Sequence, residues 1–264
     1  MVAVSVNPQP VTELTDEQRE RYARNVDVVG LGEEGQLRLL NSSVLAIGAG
    51  GLGSAALPYL AAAGVGRIGV VDGDRVELKN MQRQVLHTEL GRNKAISAME
   101  RLRALNPDVA VAAYPDYLTF ERACELFPRY DLVLDCTDSF GAKFMLSDAA
   151  EAVQARLIWA TAVGMQAQCS VFGVADEHGD RLYLRDLHPE EPAPGDYPQA
   201  AEVGILGANV GQVGALEAAE AIKVLAGFGR PLVGRVMVLD TLNARWATLP
   251  LRKSGSVRRT DADR

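Results

Sequence analysis

The sequence feature that most constrains the fold is the glycine-rich turn GAGGLG, in which Gly48, Gly50 and Gly53 follow the order G-x-G-x-x-G. The apolar run SVLAIG precedes it and predicts a strand that is buried on both faces. The segment SAALPYLAAAG follows it and predicts a helix that ends at Gly64. A strand, this turn and a helix in succession are typical of phosphate binding. The glycines let backbone N–H groups approach a phosphate, and the helix N-terminus attracts anions.

Strand-like and helix-like segments continue to alternate after this turn. The further buried strands are RIGVVD, VAVAAY, DLVLDCTD and LIWATAV, and the intervening helices are NKAISAMERLRALN, FERACELF and GAKFMLSDAAEAVQA. Alternating strands and helices form right-handed crossovers, so we expect an α/β fold with a Rossmann-like, doubly wound and mostly parallel sheet. After Thr161, the segments MQAQCSVFGV, DRLYLRD and RVMVLDTLNARWATLPL predict an antiparallel C-terminal section, with one long helix, ANVGQVGALEAAEAIKVLAGF, before the last pair of strands.

Composition excludes several classes of function. The chain has 264 residues and a formal net charge of -7, which disfavours nucleic acid as a main partner. It contains no apolar run of the roughly 18 residues that a membrane span needs, and its N-terminus does not resemble a secretory signal. We therefore expect a cytoplasmic protein with no membrane partner. Cys124, Cys136 and Cys169 form no CxxC pair, which argues against a zinc site and a disulfide framework and favours packing roles.

Carboxylates follow the second predicted strand. Asp72 ends RIGVVD, a placement that suits hydrogen bonding to ribose hydroxyls, and we assign Asp74 to the same nucleotide site. The glycine turn and Asp72 together predict an adenosine nucleotide. They do not distinguish ATP from NAD, because a dehydrogenase carries the same fingerprint.

The polar residues after these acids favour ATP. Asn80, Gln82 and Arg83 fall in one short segment, and Lys94 opens a long predicted helix. Nucleotidyl transfer must neutralise charge on the α-phosphate and the leaving pyrophosphate, which Arg, Lys and Mg²⁺ can do. Asp138 follows a parallel strand at the edge where open α/β sheets bind ligands, and its carboxylate could hold Mg²⁺. Singly, these residues also fit surface charge or a helix N-cap at Asp138. Together they predict a triphosphate site.

The motifs resemble, in this order, those of the E1-like adenylating enzymes: RYARN, GAGGLGS, AAAGVGRIGVVDGD, NMQRQVLH, GRNKA, LNPDV and DLVLDCTDS. The resemblance is strongest to the bacterial MoeB/ThiF type of the HesA/MoeB/ThiF family and covers the chain from about Tyr22 to Leu249. It implies an enzyme that binds ATP with Mg²⁺ and the C-terminal Gly-Gly tail of a ubiquitin-like sulfur-carrier protein. The tail carboxylate would attack the α-phosphate, giving an acyl-adenylate and pyrophosphate.

The same resemblance implies roles for individual residues. Gly51 would contact the phosphates, and a symmetric homodimer would bring Arg24 of RYARN into the neighbour's site. Ser139 stands where the family often has Asn. The expected catalytic residues are Arg24, Arg83, Lys94 and Asp138. The expected nucleotide-binding residues are Gly48, Gly50, Gly51, Gly53, Asp72, Asp74, Asn80, Gln82, Arg83, Lys94, Asp138 and Ser139.

Two departures from the family pattern are informative. Many relatives bind a structural zinc through two CxxC pairs, but Leu182 and Arg185 stand where the first pair is expected, so we predict no zinc. The loop segment DYPQAAEVG contains no cysteine, so we expect no covalent carrier–thiol intermediate. Sulfide, a persulfide from a sulfur donor protein or an amine would then attack the adenylate. The Pro-rich, acidic stretch from 188 to 201 predicts a mobile loop that either covers the carrier tail or is simply solvated.

We expect one E1-like domain with four parts. Residues 1–30 form an N-terminal arm and helix, 31–164 an ATP-binding Rossmann-like part, 165–250 an antiparallel sheet, mobile loop and carrier-binding part, and 251–264 a flexible tail. The leading hypothesis is an ATP-dependent adenylyltransferase of a sulfur-carrier protein. The alternatives are an NAD(P)-dependent oxidoreductase, a non-catalytic pseudo-E1 binding subunit, and an enzyme that adenylates another group, such as a peptide terminus.

Overall fold

The computed structural model describes residues 10–193, 195 and 200–253, and within them lies one eight-stranded sheet in the order β3-β2-β1-β4-β5-β6-β7-β8. The strands are β1 Ser43–Ile47, β2 Arg67–Val71, β3 Ala110–Tyr114, β4 Leu132–Asp135, β5 Leu157–Val163, β6 Gln166–Phe172, β7 Arg235–Asp240 and β8 Arg245–Pro250. The pairs among β1 to β5 are parallel, and those from β5 to β8 are antiparallel. The predicted fold class is therefore confirmed.

Helices cover both faces of the sheet. They are α1 Asp16–Arg21, α2 Ala23–Val26, α3 Gly32–Leu40, α4 Gly51–Ala62, α5 Lys94–Leu105, α6 Phe120–Leu126, α7 Phe140–Ala152, α8 Leu184–Leu187, α9 Ala200–Val203 and α10 Gly207–Ala226. One face packs its apolar side chains against α3, α4, α5 and α10, and the other packs against α6 and α7. Burial on both faces is what the unbroken apolar runs of the parallel strands require.

A side-chain cap fixes the start of α5, which lies near the cavity described below. Asn93 accepts a hydrogen bond from the Ile96 N–H at 3.1 Å and so starts α5 at Lys94. Far from that cavity, the side chain of Thr15 caps α1. These caps satisfy N–H groups that have no partner inside the helix.

One predicted segment differs from the structure. DRLYLRD was expected in the antiparallel section, but its end forms the short helix α8, and only an isolated bridge joins Ala175 to Arg181 before it. Asp186 accepts a hydrogen bond from the Tyr183 N–H at 2.9 Å, which closes a helical turn in place of a strand ladder. Leu184 is fully buried, so packing also fixes the turn.

Parts of three other expectations lie outside the described residues: the N-terminal arm at 1–9, the acidic loop at 194 and 196–199, and the tail at 254–264. The last residues of the expected loop form α9. Among the helices that the structure describes, none combines the length and apolarity needed to cross a membrane.

Candidate nucleotide-binding site

A cavity of about 290 Å³ lies at the carboxyl ends of the parallel strands, where β1 separates β2 from β4 in the sheet. The crossovers from β1 and β4 leave in opposite directions here, which is the place where open α/β sheets bind ligands. The predicted site residues that line the cavity are Gly48, Gly50, Gly51, Asp72, Asp74, Arg83, Lys94, Asp138 and Ser139. Apolar side chains, including Leu118 and Met145, complete its wall.

The glycine turn forms the floor of the cavity. Gly48 has a φ of 99°, and a Cβ there would lie 2.7 Å from the Cys136 carbonyl oxygen on the adjacent strand end. Gly53 does not line the cavity, because it packs against the turn itself: a Cβ there would lie 2.4 Å from the Gly48 oxygen. Helix α4 begins at Gly51, so its N-terminus faces the cavity and favours an anion.

Asp72 holds the turn in place. Its Oδ2 accepts a hydrogen bond from the Ala49 N–H at 2.7 Å, and its Oδ1 accepts one from the Asp74 N–H at 2.9 Å. Burial raises the pKa of Asp72, and these two hydrogen bonds oppose the rise. Each carboxylate oxygen keeps a further lone pair, so the side chain can still accept a ribose hydroxyl.

Lys94 lies on the cavity wall and not in bulk solvent. It is only 5% exposed, and its Nζ donates to Asp74 Oδ2 at 2.9 Å. The hydroxyl of Tyr117 donates to Asp74 Oδ1 at 2.6 Å, and this contact, followed by that of Lys94, lowers the pKa of Asp74. Tyr117 lines the cavity, although no motif in the sequence identified it.

The segment from 80 to 84 places its side chains differently from the prediction. Asn80 is buried and does not line the cavity; its Oδ1 instead accepts a 3.4 Å hydrogen bond from Arg83 Nη2. Gln82 is exposed and also does not line the cavity.

Gln84 takes the position expected for Gln82. Its N–H donates to the Asn80 carbonyl at 2.9 Å, so the segment closes a helical turn that brings Gln84, and not Gln82, to the cavity. Gln84 is 4% exposed, and its Oε1 has no hydrogen-bond partner among the described residues. A buried orphan acceptor beside the glycine turn fits a site that a polar ligand completes.

Asp138 stands at the exposed rim of the cavity. Ser139, and not Asp138, is the N-cap of α7, because its Oγ accepts from the Ala142 N–H at 3.3 Å. Ser139 therefore has the N-cap role that was the structural alternative for Asp138.

A buried ion pair supports the loop that carries Asp138. Asp135 Oδ1 accepts from the Thr137 N–H at 3.0 Å, from its hydroxyl at 2.6 Å and from Lys143 Nζ at 3.3 Å. Lys143 Nζ also donates to the Ala160 carbonyl at 2.6 Å, which ties the loop to β5. Both charged side chains are almost completely buried, so the loop has little freedom to move.

Two of the three cysteines are sealed in the core. Burial raises the pKa of the Cys136 and Cys169 thiols well above the usual range, and the nearby Glu217 carboxyl adds to the effect. Cys124 is half-buried on α6. A buried thiol with a raised pKa is a poor nucleophile, which agrees with packing roles for Cys136 and Cys169.

The remaining predicted positions lie away from the cavity. Arg24 on α2 is highly exposed and pairs with Asp27 at 2.9 Å, so within one chain it does not reach the site. At the positions expected for zinc ligands, Leu182 is buried in the core and Arg185 makes two hydrogen bonds to Asp148, at 2.7 and 2.8 Å.

The residues present fit a nucleotide with Mg²⁺. Mg²⁺ in nucleotide sites is bound through one or two carboxylates together with phosphate oxygens and water, and Asp138 offers one such carboxylate. The described residues contain no cluster of three or more metal-ligating side chains. Two cations and a helix N-terminus face the same cavity, which makes it complementary to a phosphorylated ligand.

Comparison with known proteins gives a consistent family assignment. The model of the ThiF family matches residues 22–258. The chain is 44% identical over 243 residues to the sulfur carrier protein adenylyltransferase of Thermus thermophilus, covering 91% of this chain and 90% of that protein. It is 42% identical over 250 residues to the probable adenylyltransferase/sulfurtransferase MoeZ of Mycobacterium tuberculosis, covering 94% of this chain but only 64% of MoeZ.

The fold is also found in a solved structure of lower sequence identity. The crystal structure of selenomethionine PaaA superposes with a TM-score of 0.75 at 21% identity, covering 94% of this chain and 78% of PaaA. At this identity the likeness shows a shared fold.

Proposed function

The chain belongs to the ThiF family, and from this premise we propose that it is an ATP-dependent adenylyltransferase that activates the C-terminal Gly-Gly carboxylate of a ubiquitin-like sulfur-carrier protein. One observation carries the proposal: Arg83, Lys94 and Asp138 line the same cavity as the glycine turn. A nicotinamide coenzyme needs no such group of charges, whereas a reacting triphosphate does. The names of the curated relatives agree with adenylyl transfer and not with oxidoreduction.

Each part of the site has a separate task in this reaction. The glycine turn and the α4 N-terminus bind phosphate through backbone N–H groups, and Asp72 accepts a ribose hydroxyl. Arg83 and Lys94 neutralise charge that develops on the phosphates. The attacking carboxylate is already ionised at neutral pH, so the site needs no general base and works by orientation and electrostatics.

Lys94 can act without leaving its present position. Its ammonium group has three donors, of which one is engaged by Asp74, so it can contact a phosphate while Asp74 still holds it against the wall. Bound Mg²⁺ would neutralise further negative charge on the phosphates, and Asp138 is the residue that we assign to hold it.

We extend the proposal to the assembly. A second copy of the chain would supply Arg24 to the site, which agrees with the exposure of that side chain. Residues 31–164 would bind the nucleotide and 165–250 the carrier. Cys136 and Cys169 are buried in the core, so we propose that sulfide or a persulfide from a donor protein attacks the adenylate directly. We also propose that the protein has no zinc site and acts in the cytoplasm.

The test is ATP–pyrophosphate exchange with candidate carriers that end in Gly-Gly. We expect exchange with a cognate carrier, and a decrease of about 10²-fold or more in Arg83→Ala and in Asp138→Ala, since the first removes a cation beside the reacting phosphates and the second removes the carboxylate that we assign to Mg²⁺. Arg122→Ala and Asp16→Ala are matched controls on α6 and α1, outside the cavity, and should leave exchange unchanged. Exchange that survives both cavity substitutions would refute the site assignment.

A further inference from the structure

A buried histidine lies directly behind the glycine turn and has no task in the chemistry described above. His87 is 1% exposed and does not line the cavity. Its Nε2 is 2.7 Å from the carbonyl oxygen of Ala49, the residue between the first two glycines, and its Nδ1 is 3.0 Å from Ser97 Oγ on α5. The ring therefore connects the turn to the first part of the helix that Lys94 begins.

The hydrogen-bond partners determine the tautomer. A carbonyl oxygen can only accept, so Nε2 carries the proton, and the Ser97 hydroxyl donates to Nδ1. Burial lowers the pKa of His87, which favours the neutral ring. The charged groups that face it are Asp72, which opposes this shift, and Lys94, which adds to it.

Both sides of Ala49 are held by side chains. The N–H donates to Asp72 Oδ2, and the carbonyl accepts from His87. Ala49 itself is fully buried. The described chain has no cis peptide, and in a trans peptide the C=O and the following N–H point in opposite directions. A donor fixed on the Ala49 carbonyl from behind thus fixes the direction of the Gly50 N–H, and Gly50 lines the cavity.

We propose that His87 is a positioning residue, which directs the Gly50 N–H toward a phosphate of the bound nucleotide by holding the Ala49 carbonyl. The inference rests on the proposed function only in taking the ligand to be a nucleotide. Orientation matters because a backbone donor contributes to phosphate binding without reorganisation only if it is fixed beforehand. His87 and Asp72 form the two halves of one clamp on the turn, one on each side of Ala49.

Two substitutions of His87 by neutral amide side chains distinguish this role from simple packing. In His87→Gln the side-chain NH₂ can replace Nε2 and donate to Ala49, whereas in His87→Asn the shorter side chain reaches only the Nδ1 position near Ser97. We expect His87→Asn to weaken ATP binding about tenfold, because the carbonyl loses its donor, and His87→Gln to bind ATP within about threefold of wild type. Adenosine, which has no phosphate, should bind both variants within about twofold of wild type.

The measurements are dissociation constants of the full chain for ATP, by calorimetry, and for adenosine, by ligand-observed NMR. Equal losses for ATP and adenosine in His87→Asn would show a structural role only and overturn the proposal, as would equal ATP affinities of the Asn and Gln variants. These assays need no carrier. If pyrophosphate exchange fails but the His87 variants bind ATP and adenosine as expected, the adenylyltransferase proposal is rejected and the clamp is not.

A second measurement uses the wild-type protein and does not depend on variants that fold. The chain has three histidines, so long-range ¹H–¹⁵N spectra can resolve each ring. We expect a neutral His87 with the proton on Nε2 at pH 7. A proton on Nδ1 alone would leave the Ala49 carbonyl without its donor and would overturn the proposal.

Discussion

Two strands of the sheet, β1 and β8, use similar residues in opposite environments. Every residue of β1 is buried, whereas every residue of β8 is exposed, although Leu, Ala and other apolar residues occur in both strands. β1 has neighbours on both sides and helices over both faces, while β8 is the last strand of the sheet and pairs, within the described part of the chain, only with β7. Position in the sheet order, and not residue type, therefore decides which apolar side chains form the core.

The candidate site lies next to the buried strand β1. Its turn and loops are held by hydrogen bonds from behind, through Asp72, His87 and the pair of Asp135 with Lys143. The exposed strand β8 carries Trp246 and Leu249 with about half of each side chain accessible. Buried hydrogen bonds therefore hold the backbone around the candidate site, where a charged ligand needs fixed donors. The contrast between this region and β8 leads to three tests.

The largest expected effect compares one substitution in the two strands. Leu45→Thr in β1 should lower the free energy of unfolding by about 3–5 kcal/mol, because it removes buried apolar volume and buries a hydroxyl. The matched Leu249→Thr in β8 should change it by less than about 0.5 kcal/mol, since the side chain is already half in water. Denaturant unfolding of both variants measures the contrast. Equal losses would mean that β8 is covered in the folded protein.

A second comparison uses two glycines with positive φ. Gly48 has a φ of 99°, and a Cβ added there would lie 2.7 Å from a backbone oxygen, whereas Gly179 has a φ of 84° and a Cβ there would meet nothing within 4 Å. Gly48→Ala should therefore cost about 3 kcal/mol, from strain and the clash, and Gly179→Ala only about 1 kcal/mol, from strain alone. Urea unfolding compares the two. If both cost the same, the close contact of Gly48 with the end of β4 is not rigid.

The smallest effect is a dependence on pH. Burial raises the pKa of Glu217 well above its ordinary value near 4.5, so the folded protein keeps a proton that the unfolded chain releases. The contribution of Glu217 to stability therefore falls as pH rises above about 4.5, by about 1.4 kcal/mol per pH unit, until the folded-state pKa is reached.

Glu217→Gln removes this titration and should be progressively more stable than wild type as pH rises from 5 to 7. Thermal unfolding at several pH values in that range tests the sign. The control is Glu121→Gln at an exposed position, whose stability should change with pH in the same way as that of wild type. Parallel curves for Glu217→Gln as well would show that the carboxyl is ionised in the folded core, where Lys143 favours its charge.

Sequence patterns predicted the parallel part of the fold well and failed where side chains compete with the backbone. Unbroken apolar runs such as SVLAI can be buried only between two layers, so their spacing with helices was enough to predict the parallel sheet. DRLYLRD has the alternation of a strand, yet Asp186 closes a helical turn through the Tyr183 N–H. Local patterning contains no information about that hydrogen bond.

The candidate site shows the same limit. The motif placed an amide near Arg83, but the helical turn from 80 to 84 selects Gln84 over Gln82, a choice that depends on backbone geometry. Tyr117 reaches the cavity from the segment after β3, far from every motif. A sequence can identify the residue types that a reaction needs, whereas which neighbouring residue faces the ligand depends on the path of the chain.

By itself, the sequence determined the residue types that the site contains: a glycine turn after a buried strand, and the acids and cations that our proposal assigns to a ribose, Mg²⁺ and a triphosphate. These follow from residue type and spacing, because backbone freedom and formal charge are local properties. Only the tertiary structure decided that Lys94 is held by Asp74, that His87 clamps Ala49 and that β8 stays exposed. Such pairings join residues distant in the chain, and they form only when the sheet order has brought the strand ends and helices together.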